Sequence, residues 1–215
     1  MDQPDHTSRG LSGVSRREFL KGSGAAAAVT ALATAPAVAE AAQKDPKSKT
    51  KVFGSGPTKV ILTINGTSYE LKLQPRTTLL EVLRNQIGLT GAKPVDTDGS
   101  SGASTVLVDN KPVNASTTFA LACLNRSIQT AEGLLPKKPQ DPPDPVLLAF
   151  IASDASQCGF CTPGFVMAVK SFLQSNPRAT EEQVRKGLGG NLCRCGTYAN
   201  IIQAIGSLSK GGARA

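Results

Sequence analysis

Over residues 58–210 the hydrophobic pattern of the chain changes period three times. It begins with two β-rich runs, Val60-Ile61-Leu62-Thr63-Ile64 and Ser68-Tyr69-Glu70-Leu71-Lys72-Leu73, on either side of Asn65-Gly66. An Asn-Gly pair suits a type I′ turn, in which both central residues need positive φ, so this stretch predicts a β-hairpin. The period then becomes helical: Thr78 can cap a helix with Leu79, Leu80, Val82 and Leu83 on one face, ending near Gly88. A polar, Gly-rich loop runs from Lys93 to Ala103, followed by strand-like Thr105-Val106-Leu107-Val108 and a turn at Asp109-Asn110. The apolar run Phe119-Ala120-Leu121-Ala122-Cys123-Leu124 reads as another strand, with Cys123 as a buried free thiol. Hairpin, helix, loop and returning strands predict a small α+β domain over residues 58–124.

A connector follows over 125–145, charged and Pro-rich from Lys137 to Pro145. Beyond it the pattern is helical. Val146 to Ala155 is apolar, Gly164 to Gln174 starts just after Pro163, and Thr180 with Gln183 forms a capping box. Tyr198 to Leu208 carries Ile201, Ile202, Ala204 and Ile205 on a helical period. Four short helices over 146–210 make a core small enough to need a staple.

The first 39 residues read as an address. Ser15-Arg16-Arg17-Glu18-Phe19-Leu20-Lys21 precedes a small-residue apolar stretch ending Ala35-Pro36-Ala37-Val38-Ala39. Pair, apolar run and small-x-small site occur in the order of a twin-arginine export signal, which predicts a periplasmic protein cleaved after Ala39. The alternative is an amphipathic helix with a chance Arg pair. The stretch is too short and too rich in Ala, Gly and Thr for a stable membrane span. Residues 40–57 form a polar lead-in.

Composition narrows the chemistry. The formal charge is +8, but Lys and Arg are scattered without a basic block or interleaved aromatics, so a soluble basic surface is expected and nucleic-acid binding is not. The single histidine, His6, falls within the export signal. A mature chain without histidine has no Ser–His or Cys–His relay and no histidine-ligated zinc. The five cysteines are then the soft ligands of interest.

Cys158 and Cys161 are spaced C-x-x-C before one predicted helix, and Cys193 and Cys195 are spaced C-x-C before another. Helix N-termini favour negative charge, and a four-thiolate [2Fe–2S] cluster is anionic. Glycines 159, 187, 189, 190 and 196 are expected to let backbone approach the sulfurs. Two other uses stay open on residue chemistry alone. Two disulfides would leave a strained C-x-C bridge, and a Cys₄ zinc site would more commonly use two C-x-x-C knuckles.

Gln157-Cys158-Gly159-Phe160-Cys161-Thr162-Pro163-Gly164-Phe165 and Gly190-Asn191-Leu192-Cys193-Arg194-Cys195-Gly196-Thr197-Tyr198 closely resemble the iron–sulfur subunit of the xanthine dehydrogenase/aldehyde oxidoreductase family of molybdenum hydroxylases. The resemblance continues through Asn176-Pro177, Thr180 to Arg185, Gly88 to Lys93, Thr105 to Asp109 and Lys111 to Asn114, covering about Thr58 to Ser207. It implies an N-terminal ferredoxin-like β-grasp domain and a C-terminal four-helix domain whose [2Fe–2S] ligands are Cys158, Cys161, Cys193 and Cys195. It further implies a large partner subunit holding molybdopterin, with Gln157 and Cys195 against the pterin, and an activity toward aldehydes or N-heterocycles. Electrons would pass to a flavin subunit or, alternatively, a c-type cytochrome.

The family pattern breaks in one place. Where the resemblance implies four cysteines for a second cluster, this chain has Asp96, Ser101, Ser104 and Ser116. Four oxygens do not replace soft sulfur ligands, so one [2Fe–2S] cluster is expected and the β-grasp domain is expected without one. The rival functions are a docking subunit with a zinc-bearing Cys₄ site and a free-standing ferredoxin-like carrier.

Overall fold

The computed structural model describes residues 53–209. The export signal, its cleavage site and most of the lead-in lie outside the described residues.

The predicted hairpin forms β1 (Thr58–Ile64) and β2 (Thr67–Leu73), antiparallel from Thr58↔Leu73 to Ile64↔Thr67. Asn65 and Gly66 take φ of 52° and 81°, as a type I′ turn requires. Asp109 and Asn110, at 50° and 63°, turn β3 (Thr105–Val108) into β4 (Lys111–Asn114) in the same way. The fifth strand, β5 (Ser127–Gln129), lies parallel to β1 and antiparallel to β3, giving the order β2-β1-β5-β3-β4. The middle strand of the sheet therefore comes from the segment expected to be connector. Its single buried apolar residue, Ile128, carries too little period to announce it.

Two other expectations change. The Thr78 cap forms, and Glu81 reaches back to complete a capping box, but helix α1 (Leu79–Glu81) widens at once into a π turn over Val82–Gln86. The run holding Cys123 is a 3₁₀ turn, Ala120–Cys123, not a strand. Cys123 is nonetheless buried against the sheet core, as expected.

The four helices are α2 (Pro145–Ala152), α3 (Thr162–Ser175), α4 (Glu181–Gly187) and α5 (Tyr198–Leu208). Asp144 caps α2 through Val146 N–H at 3.0 Å and binds Lys170 of α3 at 2.6 Å, joining the two helices at one carboxylate. Thr180 and Gln183 form the predicted box on α4. Asn200 of α5 donates to the carbonyls of Ser153 and Asp154 at the end of α2.

Strand β3 joins the two cores. Successive side chains on a strand face opposite ways. Val106 and Val108 enter the sheet core with Leu62, Ile64, Leu79 and Leu83, while Leu107 enters the helical core with Phe165, Met167 and Ile205. Among the described residues no helix is long and apolar enough to cross a membrane.

Candidate metal centre

Both cysteine pairs lie in loops feeding helices, rather than on the helices themselves. Cys161 is the N-cap of α3, and its carbonyl accepts Phe165 N–H at 3.1 Å. Cys158 lies just upstream, beside Gly159 at φ 78°, a left-handed conformation that side chains resist. Ser156 Oγ and Thr162 Oγ1, 3.0 Å apart, close this loop. Cys193 and Cys195 precede α5, whose N-cap is Thr197. Tyr198 Oη accepts Cys193 N–H at 2.7 Å, and the Tyr198 ring meets Phe165 of α3 edge-on, with centroids 6.2 Å apart. One aromatic contact thus ties the two cysteine loops together.

The acidity of each thiol is set in part by its neighbours, Cys158 and Cys195 acting on each other and Cys161 and Cys193 likewise. In the inner pair, burial and then the bond to Cys193 push the Cys161 thiol up to about 12. Burial also opposes the Cys193 thiolate, but bonds from the Thr197 hydroxyl and backbone and from Cys161 outweigh it and lower Cys193 to about 7. Thr197 Oγ1 stands 3.1 Å from the Cys193 sulfur. In the outer pair, the backbone of Phe160 and then the Cys195 thiol hold Cys158 below the ordinary thiol range. Cys195 receives a lowering bond from the Cys158 backbone, yet its bond to the Cys158 sulfur, desolvation and the neighbouring sulfur charges raise it overall. Solvent separates the same pairs: Cys158 and Cys195 are exposed, Cys161 is half-buried and Cys193 is buried.

Among the described residues, no three Cys, His, Asp or Glu side chains converge as ligands of a single metal ion. A [2Fe–2S] cluster makes a different demand, two thiolates for each of two irons. Four thiols on two loops joined through Tyr198 and Phe165 fit that demand, and the Phe160 and Cys158 backbones lower the Cys158 and Cys195 thiols respectively, an influence of the kind that stabilises an anionic cluster.

Gly159 and Gly196, at φ 78° and 80°, sit beside the thiols in a left-handed conformation that side chains resist. Gly187 does something else. A Cβ there would strike the Phe172 ring, so this glycine serves the packing of α4 on α3. Gln157 is exposed beside Cys158. Thr197 and Tyr198 brace Cys193, a role that spacing alone does not announce, although both sit within the C-x-C block.

Asp96, Ser101, Ser104 and Ser116 bind one another in two pairs. Asp96 accepts from Ser101 Oγ, from Ser101 N–H at 3.1 Å and from Gly99 N–H at 2.6 Å. Ser104 Oγ lies 3.0 Å from Ser116 Oγ and accepts Ser116 N–H at 3.3 Å. These are hard oxygens already engaged with one another, and they do not fit an iron–sulfur cluster.

Comparison with known proteins agrees with this geometry. Residues 130–206 match the [2Fe-2S] binding domain family, and residues 13–33 match the twin-arginine translocation pathway signal sequence. The chain is 39% identical to the nicotine 6-hydroxylase small subunit of Paenarthrobacter nicotinovorans, over 66% of this chain and 84% of that protein. It is 34% identical to the aldehyde oxidoreductase iron-sulfur-binding subunit PaoA of Escherichia coli, over 89% and 86% respectively. A crystal structure of quinoline 2-oxidoreductase from Pseudomonas putida 86 superposes with a TM-score of 0.65 at 36% identity, covering 70% of this chain and 91% of that one.

Sheet, helices and paired cysteine loops define an iron–sulfur protein of the α+β class. The chain belongs to the family of iron–sulfur small subunits of the xanthine dehydrogenase and aldehyde oxidoreductase type, the molybdenum hydroxylases. It is a subunit of an oxidoreductase complex that does not itself bind substrate, and its leader directs export.

Proposed function

We propose that Cys158, Cys161, Cys193 and Cys195 hold this chain's single [2Fe–2S] cluster, and that it serves a large molybdopterin-binding subunit in a periplasmic hydroxylase. When bound, the cluster supplies one-electron storage between the molybdenum centre and an acceptor. The meeting of the two cysteine loops through Tyr198, which binds Cys193 N–H and packs on Phe165, inside the span that matches the [2Fe-2S] binding domain, carries this reading over a lone zinc.

The strand order, with β5 parallel to β1 at the centre of the sheet, supports reading the sheet half as a ferredoxin-like β-grasp domain. The mutual bonding of Asp96 with Ser101 and of Ser104 with Ser116 supports reading it as free of a cluster. Electrons then leave from the helical half, to a flavin subunit or a c-type cytochrome. The substrate class is aldehydes or N-heterocycles, as the names of the relatives indicate for those proteins. Gln157 and Cys195, both exposed, form the edge that faces the partner's pterin. Cleavage after Ala39 gives a mature chain beginning Glu40-Ala41-Ala42.

Iron, acid-labile sulfide and zinc analysis tests the reading directly. We expect about two irons and two sulfides per chain and no zinc. Zinc without visible absorbance would establish a structural Cys₄ site, and four irons with two EPR signals would establish a second cluster. A Gln157→Ala variant keeps its iron but is reduced more slowly by substrate in the reconstituted complex.

A further inference from the structure

The loop between α1 and β3 carries Asp96, Ser101 and Ser104 where the resemblance implies cysteines, and its backbone is closely held. Asp96 gathers the amides of Gly99 and Ser101 into a turn. Asn114 of β4 donates to Gly99 O at 2.9 Å, and Lys93 N–H donates to Ala103 O at 3.0 Å. Ser104 and Ser116 fasten its far end.

Held this way, the loop directs two consecutive carbonyls at the other half of the molecule. Ser101 O accepts Leu192 N–H at 2.9 Å. Gly102 O accepts the Asn191 side-chain amide at 3.0 Å, across 89 positions of sequence. Asn191 is buried, and its amide also lies 3.4 Å from Thr105 Oγ1. These two acceptors hold the two residues immediately before Cys193. Gly102 admits no side chain, since a Cβ would strike Gly190 O and the Asn191 amide. The peptide also packs on the first turn of the helix that follows the other cysteine loop: a Cβ on Gly164 of α3 would strike Gly102 O. Lys93 adds its ammonium 5.7 Å from the centre of the Phe160 ring, between Cys158 and Cys161.

We propose that residues 96–105 form a metal-independent buttress that positions Cys193 through Asn191 and Leu192, with Asp96 as its positioning residue. The buttress rests on Cys193 being a cluster ligand. Without the Asp96 carboxylate the Gly99 and Ser101 amides lose their acceptor, the turn relaxes, and the Ser101 and Gly102 carbonyls no longer fix the approach to Cys193. Partners beyond the ligand shell set the orientation and lability of a metal site in this manner.

The test uses the full-length, iron-loaded chain with Asp96→Ala, Asp96→Asn and Asn191→Ala. Thr97→Ala, on the exposed part of the same loop, is the control. Iron release to a chelator is followed by bleaching, and the reduced cluster is recorded by EPR. We expect full iron in all variants at saturation. Release is roughly tenfold faster in Asp96→Ala and Asn191→Ala, with shifted g values. Asp96→Asn, which keeps one acceptor oxygen, falls between, and Thr97→Ala matches wild type. Wild-type release rates and spectra in Asn191→Ala and Asp96→Asn overturn the buttress, and these two variants decide the matter if Asp96→Ala does not fold. Full iron and an unchanged spectrum in Cys193→Ser overturn the ligand assignment and the buttress with it, so the two failures are distinguishable.

Discussion

The 96–105 loop of the sheet half and the cysteine loops of the helical half face the same physical problem in adjacent parts of one molecule. Each is a glycine-bearing turn that must hold backbone in conformations few side chains accept. The sheet loop meets it with oxygen: the Asp96 carboxylate binds the Ser101 hydroxyl and neighbouring amides, and the Ser104 hydroxyl binds Ser116 beyond β4. The cysteine loops carry four thiols in two pairs, with one pair open to solvent. A hydrogen-bonded loop needs nothing from outside to be complete. A thiol-lined one is completed by metal, because metal binding and folding are coupled in small domains.

The largest expected effect breaks this contrast at its metal side. Cys193→Ser or Cys161→Ser is expected to remove nearly all iron and visible absorbance. Amide exchange over residues 145–208 is expected to accelerate, while exchange within β1 and β2 stays slow. Equal acceleration in both halves would show that the sheet also depends on metal. A smaller loss is expected where the two loops meet. Gly164→Ala drives a methyl into the Gly102 carbonyl and is expected to cost roughly 2–3 kcal/mol in denaturant unfolding of the metal-free chain.

Cys123→Ser sharpens the contrast from the other side, because this thiol sits in the sheet core, where burial pushes its pKa up. Iron content and absorbance are expected to match wild type, with about 1–2 kcal/mol of stability lost to the buried hydroxyl. Alkylation of the folded, metal-free chain should modify Cys158 and Cys195 well before Cys123, as mass spectrometry of the digested protein would show. The smallest effects come from the two capping boxes, one in each half. Thr78→Ala and Thr180→Ala are each expected to cost roughly 1 kcal/mol, and only Thr180→Ala should change iron retention.

What could be read from sequence was local. The Asn65-Gly66 turn, the Thr180–Gln183 box and the Tyr198–Leu208 helix each follow from residues within a few positions of one another. The cysteine pairs were legible because their spacing is itself the signal. The π turn at Val82–Gln86 was not, since an apolar face at helical spacing looks alike whether bonds close at four residues or five. The Phe119–Leu124 run misled because a short apolar stretch has no period to separate strand from 3₁₀ turn. Strand β5 escaped because its place is set by partners on β1 and β3. The contacts of Gly102 with Asn191 and Gly164 were invisible for the same reason, since only the folded chain brings them together.

The side chain of Asn65 has a bearing on how the protein ages. In a flexible chain, an Asn followed by Gly loses ammonia when the next backbone nitrogen attacks the side-chain carbonyl. Here the Asn65 amide is engaged at both ends: Nδ2 donates to Thr130 Oγ1 at 3.0 Å, and Oδ1 accepts Thr130 N–H at 2.9 Å. Gly133 packs so closely against it that a Cβ there would collide with the same amide. Swinging the carbonyl toward Gly66 would require breaking both bonds while Thr130 stays buried. The folded protein thus shields its most labile amide, and deamidation at Asn65 becomes a chemical clock for the time a molecule has spent unfolded.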